Sequence, residues 1–297
     1  MRICEYINVS DERLLDGLGP VASLMARVEA LPEGEEVTID FADTKFVTPV
    51  CLLSLIVYLT RCGRKVSMKN VTEYLGTVGL NTGGIKPDQM RRTEFLATME
   101  KYSSKSYIPI VNFAAGRNID DKEAISSVVE SILIRQLNIQ PNVATGLKYM
   151  VEETLDNITE HSESERGYIF AQAYPRKGYL DICMADNGVT LLGSYLKLAD
   201  NEIVTDLEAI KAANRGISSK NLPDAENRGY GIQTSKRMLV EGLGGQYLMI
   251  SGGCIYLKTP ENDNVYSVPG GLRWNGTVVA LRIPVNSSGF NYVNYIE

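Results

Sequence analysis

Leu147-Lys148-Tyr149-Met150-Val151-Glu152-Glu153-Thr154-Leu155-Asp156-Asn157-Ile158-Thr159-Glu160-His161 is the stretch on which the reading of this chain turns. Leu147, Met150, Val151, Thr154, Leu155 and Ile158 recur at the three- and four-residue steps of a single helical stripe, and Pro141 stands where a first helical turn accepts proline. At about 100° per residue, Glu153 and Asn157 fall together on the flank of that stripe, at the rim of the core. A carboxylate and a carboxamide one turn apart can orient a water. They can also offer oxygen to a hard cation such as Mg2+, which takes few protein ligands and fills its shell with phosphate oxygens and waters. Any amphipathic helix offers such neighbours, so the pair needs company before it means a site.

The company lies downstream. Residues 180–185 form a short apolar run that delivers Asp186-Asn187-Gly188, a strand-end carboxylate followed by a glycine that would let a ligand approach the backbone. Asn227-Arg228-Gly229-Tyr230-Gly231 precedes a helical pattern with Ile232, Met238 and Leu239 that ends at Gly242, Gly244 and Gly245. Glycines ahead of a helix N-terminus expose backbone N–H groups to anions. Asn275-Gly276-Thr277 then leads into an alternating strand over residues 278–284.

Together the four pieces resemble the ATP-binding domain shared by gyrase, the large heat-shock chaperones, histidine kinases and mismatch-repair ATPases, the GHKL superfamily with its Bergerat fold. Glu153-x-x-x-Asn157-x-x-x-His161 is similar to that family's N box, Asp186-x-Gly188 to its first glycine box, Arg228-Gly229-Tyr230-Gly231 to its second, and Gly276-Thr277 to its last. The resemblance covers about residues 118–285 and is closest in style to the anti-sigma factor kinases. It implies an α/β sandwich with helices on one face of a mixed sheet, and ATP and Mg2+ as ligands. In that reading Asn157 ligates Mg2+, Glu153 orients or deprotonates an attacking water, and Asp186 accepts the adenine amino group. Gly188 opens the backbone beside it, Gly229 and Gly231 bring N–H groups to the phosphates, Arg228 adds charge, and Thr277 bonds near the phosphates or a bound water. Residues 190–228 are the implied lid, with Lys220 a further phosphate contact. Thr190 stands where the family often has a second glycine, which implies a less open backbone and a weaker or differently shaped nucleotide site.

Glu152, Asp156 and Glu160 read as a solvated helix face. His161, the single histidine of the chain, lies nearer the apolar stripe than Glu153 and reads as a packed, hydrogen-bonded ring. Autophosphorylation on a separate upstream histidine, as in the usual sensor kinase, is not expected, because the chain has no second histidine.

Residues 1–90 read as a small α/β unit. Residues 37–41 alternate like a strand with one buried face, Thr48-Pro49 is an N-cap followed by proline at the first helical position, residues 50–59 are apolar, and Gly63 suits the position past the helix end. A second strand is predicted over residues 65–70. This β-α-β pattern resembles a STAS domain, the fold of anti-anti-sigma factors, but Thr48-Pro49-Val50-Cys51 stands where phosphorylatable members carry an acceptor serine, so an interaction module is expected. The non-periodic stretch from Asn81 through Ser103-Ser104 reads as the connection. The expected division is an α/β chain of two domains: 1–90 STAS-like, 91–117 connector, 118–285 ATP-binding, and 286–297 an apolar tail.

Thirty Lys and Arg against thirty-six Asp and Glu give a net charge of −6, and residues 1–90 alone hold nine basic and twelve acidic side chains. A basic face that neutralises nucleic-acid or membrane phosphates is therefore not expected. Five scattered cysteines without C-x-x-C suggest neither a disulfide framework nor a zinc site. No apolar run reaches the eighteen or so residues of a membrane span, and residues 1–11 do not resemble a signal peptide, so a cytoplasmic location is expected. The function expected from the whole is an ATP·Mg2+-binding signalling switch acting on a protein partner, as a Ser/Thr kinase or a slow ATPase, with homodimerisation a further option. The alternative is a non-catalytic protein-interaction module on a degenerate scaffold of the same type.

Overall fold

The computed structural model describes residues 2–4, 13–116, 119–137, 139–219, 230–285 and 289–296. In chain order the elements are β1 (Arg2–Cys4), α1 (Leu18–Glu29), β2 (Val37–Asp40), α2 (Pro49–Arg61), β3 (Val66–Lys69), α3 (Glu73–Thr77), α4 (Arg92–Glu100), β4 (Tyr107–Ala114), α5 (Ile119–Leu137), α6 (Pro141–His161), β5 (Arg166–Tyr174), β6 (Tyr179–Asp186), α7 (Leu191–Tyr195), α8 (Asp206–Asn214), α9 (Tyr230–Arg237), β7 (Gln246–Gly252), β8 (Cys254–Lys258), β9 (Asp263–Ser267) and β10 (Trp274–Pro284). They form two sheets, a parallel one in the order β1-β2-β3 and a seven-stranded one in the order β4-β5-β6-β10-β7-β8-β9. Every named strand pair in the larger sheet is antiparallel. The mixed sheet implied by the sequence is thus not present as one sheet; parallel strand pairing is confined to the small sheet, and a single parallel bridge joins Ile85 to Val111 of β4. No helix among the described residues is long and apolar enough to cross a membrane.

The β2-α2-β3 unit forms as its local signals require. Thr48 has extended φ/ψ and its Oγ1 accepts from Cys51 N, Pro49 fills the first turn, and Gly63 takes φ +67 just past the end. Thr48 is 2% exposed and its hydroxyl is engaged, in keeping with a cap. What the pattern does not reveal is how completely α2 is enclosed. Residues 49 to 55, Val57 and Tyr58 are all buried. A helix apolar all round needs cover on every side. One side of α2 meets β2 and α1, where Tyr58 donates to Glu29 Oε1 at 2.8 Å. The other packs on the second face of the large sheet, and Tyr168, Phe170, Cys183, Ala185, Trp274, Val278 and Ala280 share one core with Leu52, Leu53 and Leu55. Trp274 Nε1 donates to the Ser54 carbonyl at 3.2 Å. Helices therefore cover both faces of this sheet, not one.

The opposite face, with Ile169, Ile182, Met184, Met249, Val279 and Leu281, is covered by α5, α6 and the turn after α9. The stripe expected on α6 is buried in full: Leu147, Met150, Val151, Thr154, Leu155 and Ile158. The described part of the segment read as the connector, residues 91–117, contributes to the same core. Phe95 and Met99 of α4 are each 1% exposed, and β4 is an edge strand whose register shifts between Ile108 and Val111, around Pro109. A proline inside a strand is tolerated at such an edge irregularity. The tail packs on its own chain. Phe290 is 6% exposed, and a Cβ on Gly146 or Gly242 would come within 3.0 Å of its ring, so these two glycines leave it room.

Asp181 and Arg282 pair across β6 and β10 on the α2 side of the sheet, Nε to Oδ1 at 2.7 Å and Nη2 to Oδ2 at 2.8 Å, with the guanidinium 4.0 Å from the Tyr179 ring centre. Arg282→Met, which leaves a buried carboxylate without its partner, is expected to cost about 3–5 kcal/mol, whereas adding Asp181→Leu restores most of it. Urea unfolding followed by Trp274 fluorescence measures both. A double variant as unstable as the single one would show that the pair itself is not the issue.

Candidate functional site

α6, α9, the α7–α8 segment and the adjoining strands enclose a cavity of about 290 Å³. That lies near the lower end of the range for small-molecule sites. Of the candidate site residues, Glu153, Asn157, Asp186, Gly231 and Thr277 border it, and so do His161 and, from the helix face read as solvated, Asp156 and Glu160. Gly188 does not, and Lys220, Arg228 and Gly229 lie outside the described residues.

Asp186 is the last residue of β6 and only 2% exposed. Its Oδ1 accepts from Gly188 N at 2.9 Å and its Oδ2 from Thr277 N at 3.2 Å. Burial pushes its carboxyl up to about 7, against the smaller opposing pull of those two N–H groups and of Arg61. Gly276, at φ +78, makes the approach possible, since a Cβ there would lie 2.2 Å from the Asp186 carbonyl oxygen. β10 carries a register irregularity at this point, between Trp274 and Thr277, which turns Thr277 N toward the carboxylate.

Gly188 has a different reason from the one read in the sequence. A Cβ there would lie 1.8 Å from the Ser162 carbonyl oxygen, which accepts from Val189 N at 2.7 Å. The glycine braces the turn after β6 against the end of α6 and does not open a path for a ligand. Thr190 is equally local. It is the N-cap of α7 and its Oγ1 accepts from Gly193 N.

Glu153 and Asn157 sit one turn apart on α6, each partly buried. The Glu153 carboxylate lies against the first turn of α9, where a Cβ on Gly231 would fall 1.8 Å from Oε2. Burial, and after it the charge of Glu153 and a hydrogen bond to it, push the Tyr149 hydroxyl up to about 12. Among the described residues no three His, Cys, Asp or Glu side chains could together hold a metal ion. Asn157 with Glu153 beside it suits a cation held mainly by phosphate oxygens and waters.

The described part of the expected lid, residues 190–219, closes one wall of the cavity through Leu191, Tyr195, Ala213 and Ile217. It is tied down by Tyr195 OH to the Ile217 carbonyl, Ser194 Oγ to the His161 carbonyl and Lys236 Nζ to the Asn214 carbonyl. His161 is partly buried, and its Nδ1 lies 3.1 Å from Ser219 Oγ, in keeping with a hydrogen-bonded ring at the cavity edge.

Three positions gave no sequence signal. Ser251 Oγ accepts from Leu191 N at 2.9 Å and donates to the Gly276 carbonyl at 3.1 Å, joining β7, β10 and α7. Thr60 and Arg61, at the end of α2, reach the turn after Asp186: Asn187 Nδ2 donates to Thr60 Oγ1 at 3.1 Å and Arg61 Nε donates to the Asn187 carbonyl at 2.6 Å.

No protein-family model matches the sequence, and no curated protein matches it.

Gly188→Ala meets backbone and is expected to cost about 3 kcal/mol. Gly231→Ala meets only the tip of the Glu153 side chain, which can swing aside, and should leave stability within about 1 kcal/mol. Equal losses in urea unfolding would contradict the distinction. Arg61→Met is expected to raise the Asp186 midpoint above about 7, because it removes a positive charge that lowers it; carboxyl-labelled NMR titration reads this directly, and a fall would contradict it.

Proposed function

We propose that this chain binds ATP with Mg2+ in the cavity and acts as a nucleotide-dependent switch on a protein partner, in the manner of the GHKL superfamily. The observation that carries the reading is convergence: Glu153, Asn157, Asp186, Gly231 and Thr277 come from four separate segments and border the same cavity. Asp186 is the base-recognising group, since a buried carboxylate that already accepts two N–H groups keeps lone pairs for an amino donor. Asn157 would hold Mg2+ together with phosphate oxygens, and the bound ion would neutralise charge developing on a transferring phosphoryl group. Glu153 is placed to orient a water or an acceptor hydroxyl beside the first turn of α9. Two reactions suit this arrangement, transfer to a Ser or Thr of the partner and slow hydrolysis, and the partner's own surface decides between them. A binding-only role on the same scaffold is the second reading. Thr190 favours it, because capping α7 closes backbone that a second glycine would leave open.

Calorimetric titration of ATP, ADP and GTP with Mg2+ into the wild type and Asp186→Asn tests the proposal, with product assayed in the same samples. Saturable binding that prefers adenine and weakens at least about tenfold in the variant is expected. Absence of binding by the wild type at millimolar nucleotide would remove the switch reading. ADP formation lost in Glu153→Ala, with binding kept, would select catalysis; no ADP from the wild type would select binding alone.

The pH dependence follows from the Asp186 value. The folded carboxyl titrates near 7 against an ordinary 3.8, so its contribution to stability is present below about pH 4 and is lost as pH rises through 7. An amino donor prefers the ionised form. Adenosine affinity is therefore expected to drop by up to about tenfold per pH unit below 7 and to level off above it. A flat profile between pH 5 and 8 would exclude Asp186 as the acceptor.

A further inference from the structure

Among the described residues five buried side-chain polar atoms have no hydrogen-bond partner: Thr44 Oγ1, Ser54 Oγ, Tyr174 OH, Asn214 Oδ1 and Ser235 Oγ. Only Ser235 also borders the cavity. It is 4% exposed and lies on α9, one turn beyond Gly231. A serine inside a helix ordinarily returns its hydroxyl to the carbonyl four residues back, and this one does not. An unpaired buried hydroxyl is a standing cost to the folded chain, and native structures carry few of them.

The cavity continues inward past Asp186. Thr277, which bonds that carboxylate, pairs with Ser251 of β7, whereas the cavity also reaches Tyr247, four residues along the same strand. At about 3.3 Å per residue this is roughly 13 Å of sheet. Met249 and Val279 line the cavity from the sheet side and Ala213 from the lid side, and Ser235 borders the same cavity from α9. Asn157 and Glu153, the groups suited to cation and phosphates, sit on α6, and the Glu153 carboxylate lies against Gly231 in the first turn of α9, one turn short of Ser235.

We infer that Ser235 is a specificity-determining contact to the base of the bound nucleotide, made by its hydroxyl directly or through one water. This rests on the nucleotide reading above and adds to it a residue outside all four sequence motifs. The contact is to the nucleoside and not to the phosphates. The hydroxyl is unpaired in the ligand-free chain because its partner arrives with the ligand.

The test uses Ser235→Ala in the full chain, with two readouts of opposite expected sign. Thermal unfolding without ligand should occur at an equal or higher temperature, because the variant removes an unpaired buried hydroxyl. Adenosine and Mg·ATP should both bind about tenfold more weakly by calorimetry, and by the same factor. Unchanged affinity for both ligands would overturn the inference, as would weakening confined to ATP, which would make Ser235 a phosphate contact. A lower unfolding temperature with no specific loss of affinity would make the role purely structural and overturn it too. A wild type that binds neither ligand would instead overturn the nucleotide reading, and this assignment with it, an outcome distinct from wild-type binding that Ser235→Ala leaves unchanged.

Discussion

Everything in this molecule depends on the seven-stranded sheet being apolar on both faces. Antiparallel sheets commonly leave one face to solvent, and this one does not. β5, β6 and β10 send Tyr168, Phe170, Cys183, Ala185, Val278 and Ala280 to one side and Ile169, Ile182, Met184, Val279 and Leu281 to the other. The helix α2 is the answer to the first side, as α5 and α6 are to the second. Its uninterrupted apolar run would be a liability on a free-standing unit with one helix face exposed. Between two sheets it is required. Trp274 and the Asp181–Arg282 pair lie on this same side, so pulling the N-terminal unit away would uncover an indole, several aromatic rings and a buried ion pair together.

That packing brings the N-terminal unit to the cavity through its last turn. Asn187, between Asp186 and Gly188, is held by Thr60 and Arg61 from α2 and by Ser164 from the turn before β5. Arg61 also lowers the proton affinity of Asp186. A partner that shifted α2 even slightly would change both the position of the Asp186 turn and the charge beside it. Coupling of this kind needs only that the partner and the cavity ligand bind two arrangements of the turn with different strength.

Much of the framework was legible because its signals are local. Thr48-Pro49 and Gly63 bound α2, and the 147–158 stripe marks α6. β6 stands out for the same reason as a short apolar run, whereas residues 278–284, read as an alternating strand, are buried without alternation from Val278 to Ile283 because helices cover both faces of the sheet. What escaped was whatever depends on distant neighbours. α4 buries only Phe95 and Met99, too few for a stripe, and β4 contains Pro109, which argues against a strand until the sheet edge is known. β9 is a polar edge strand over Asp263–Ser267 without buried residues. The glycines teach the same lesson from the site. Gly188 and Gly231 look alike as openings for a ligand, yet one meets the Ser162 carbonyl and the other the Glu153 carboxylate. A sequence says that something comes close to a glycine, and only the fold says what. Ser235 belongs to no pattern at all, since a serine on a helix becomes informative only once its hydroxyl is known to lack a partner.

Two aspartates of one strand show how differently the two faces of the sheet are used. Asp181 and Asp186, both in β6, are 1% and 2% exposed and lie an odd number of positions apart along the strand, so they point to opposite sides. On the α2 side, Asp181 meets a guanidinium in bidentate geometry, the arrangement by which a buried charge is made tolerable. On the cavity side, Asp186 receives two backbone N–H groups, while Arg61 spends its Nε on the Asn187 carbonyl. A site concerned only with stability would have treated the second carboxylate like the first, or replaced it with an apolar side chain. Burial raises this carboxyl to about 7, and holding it charged beside the cavity costs stability that the bidentate partner of Asp181 offsets on the other face.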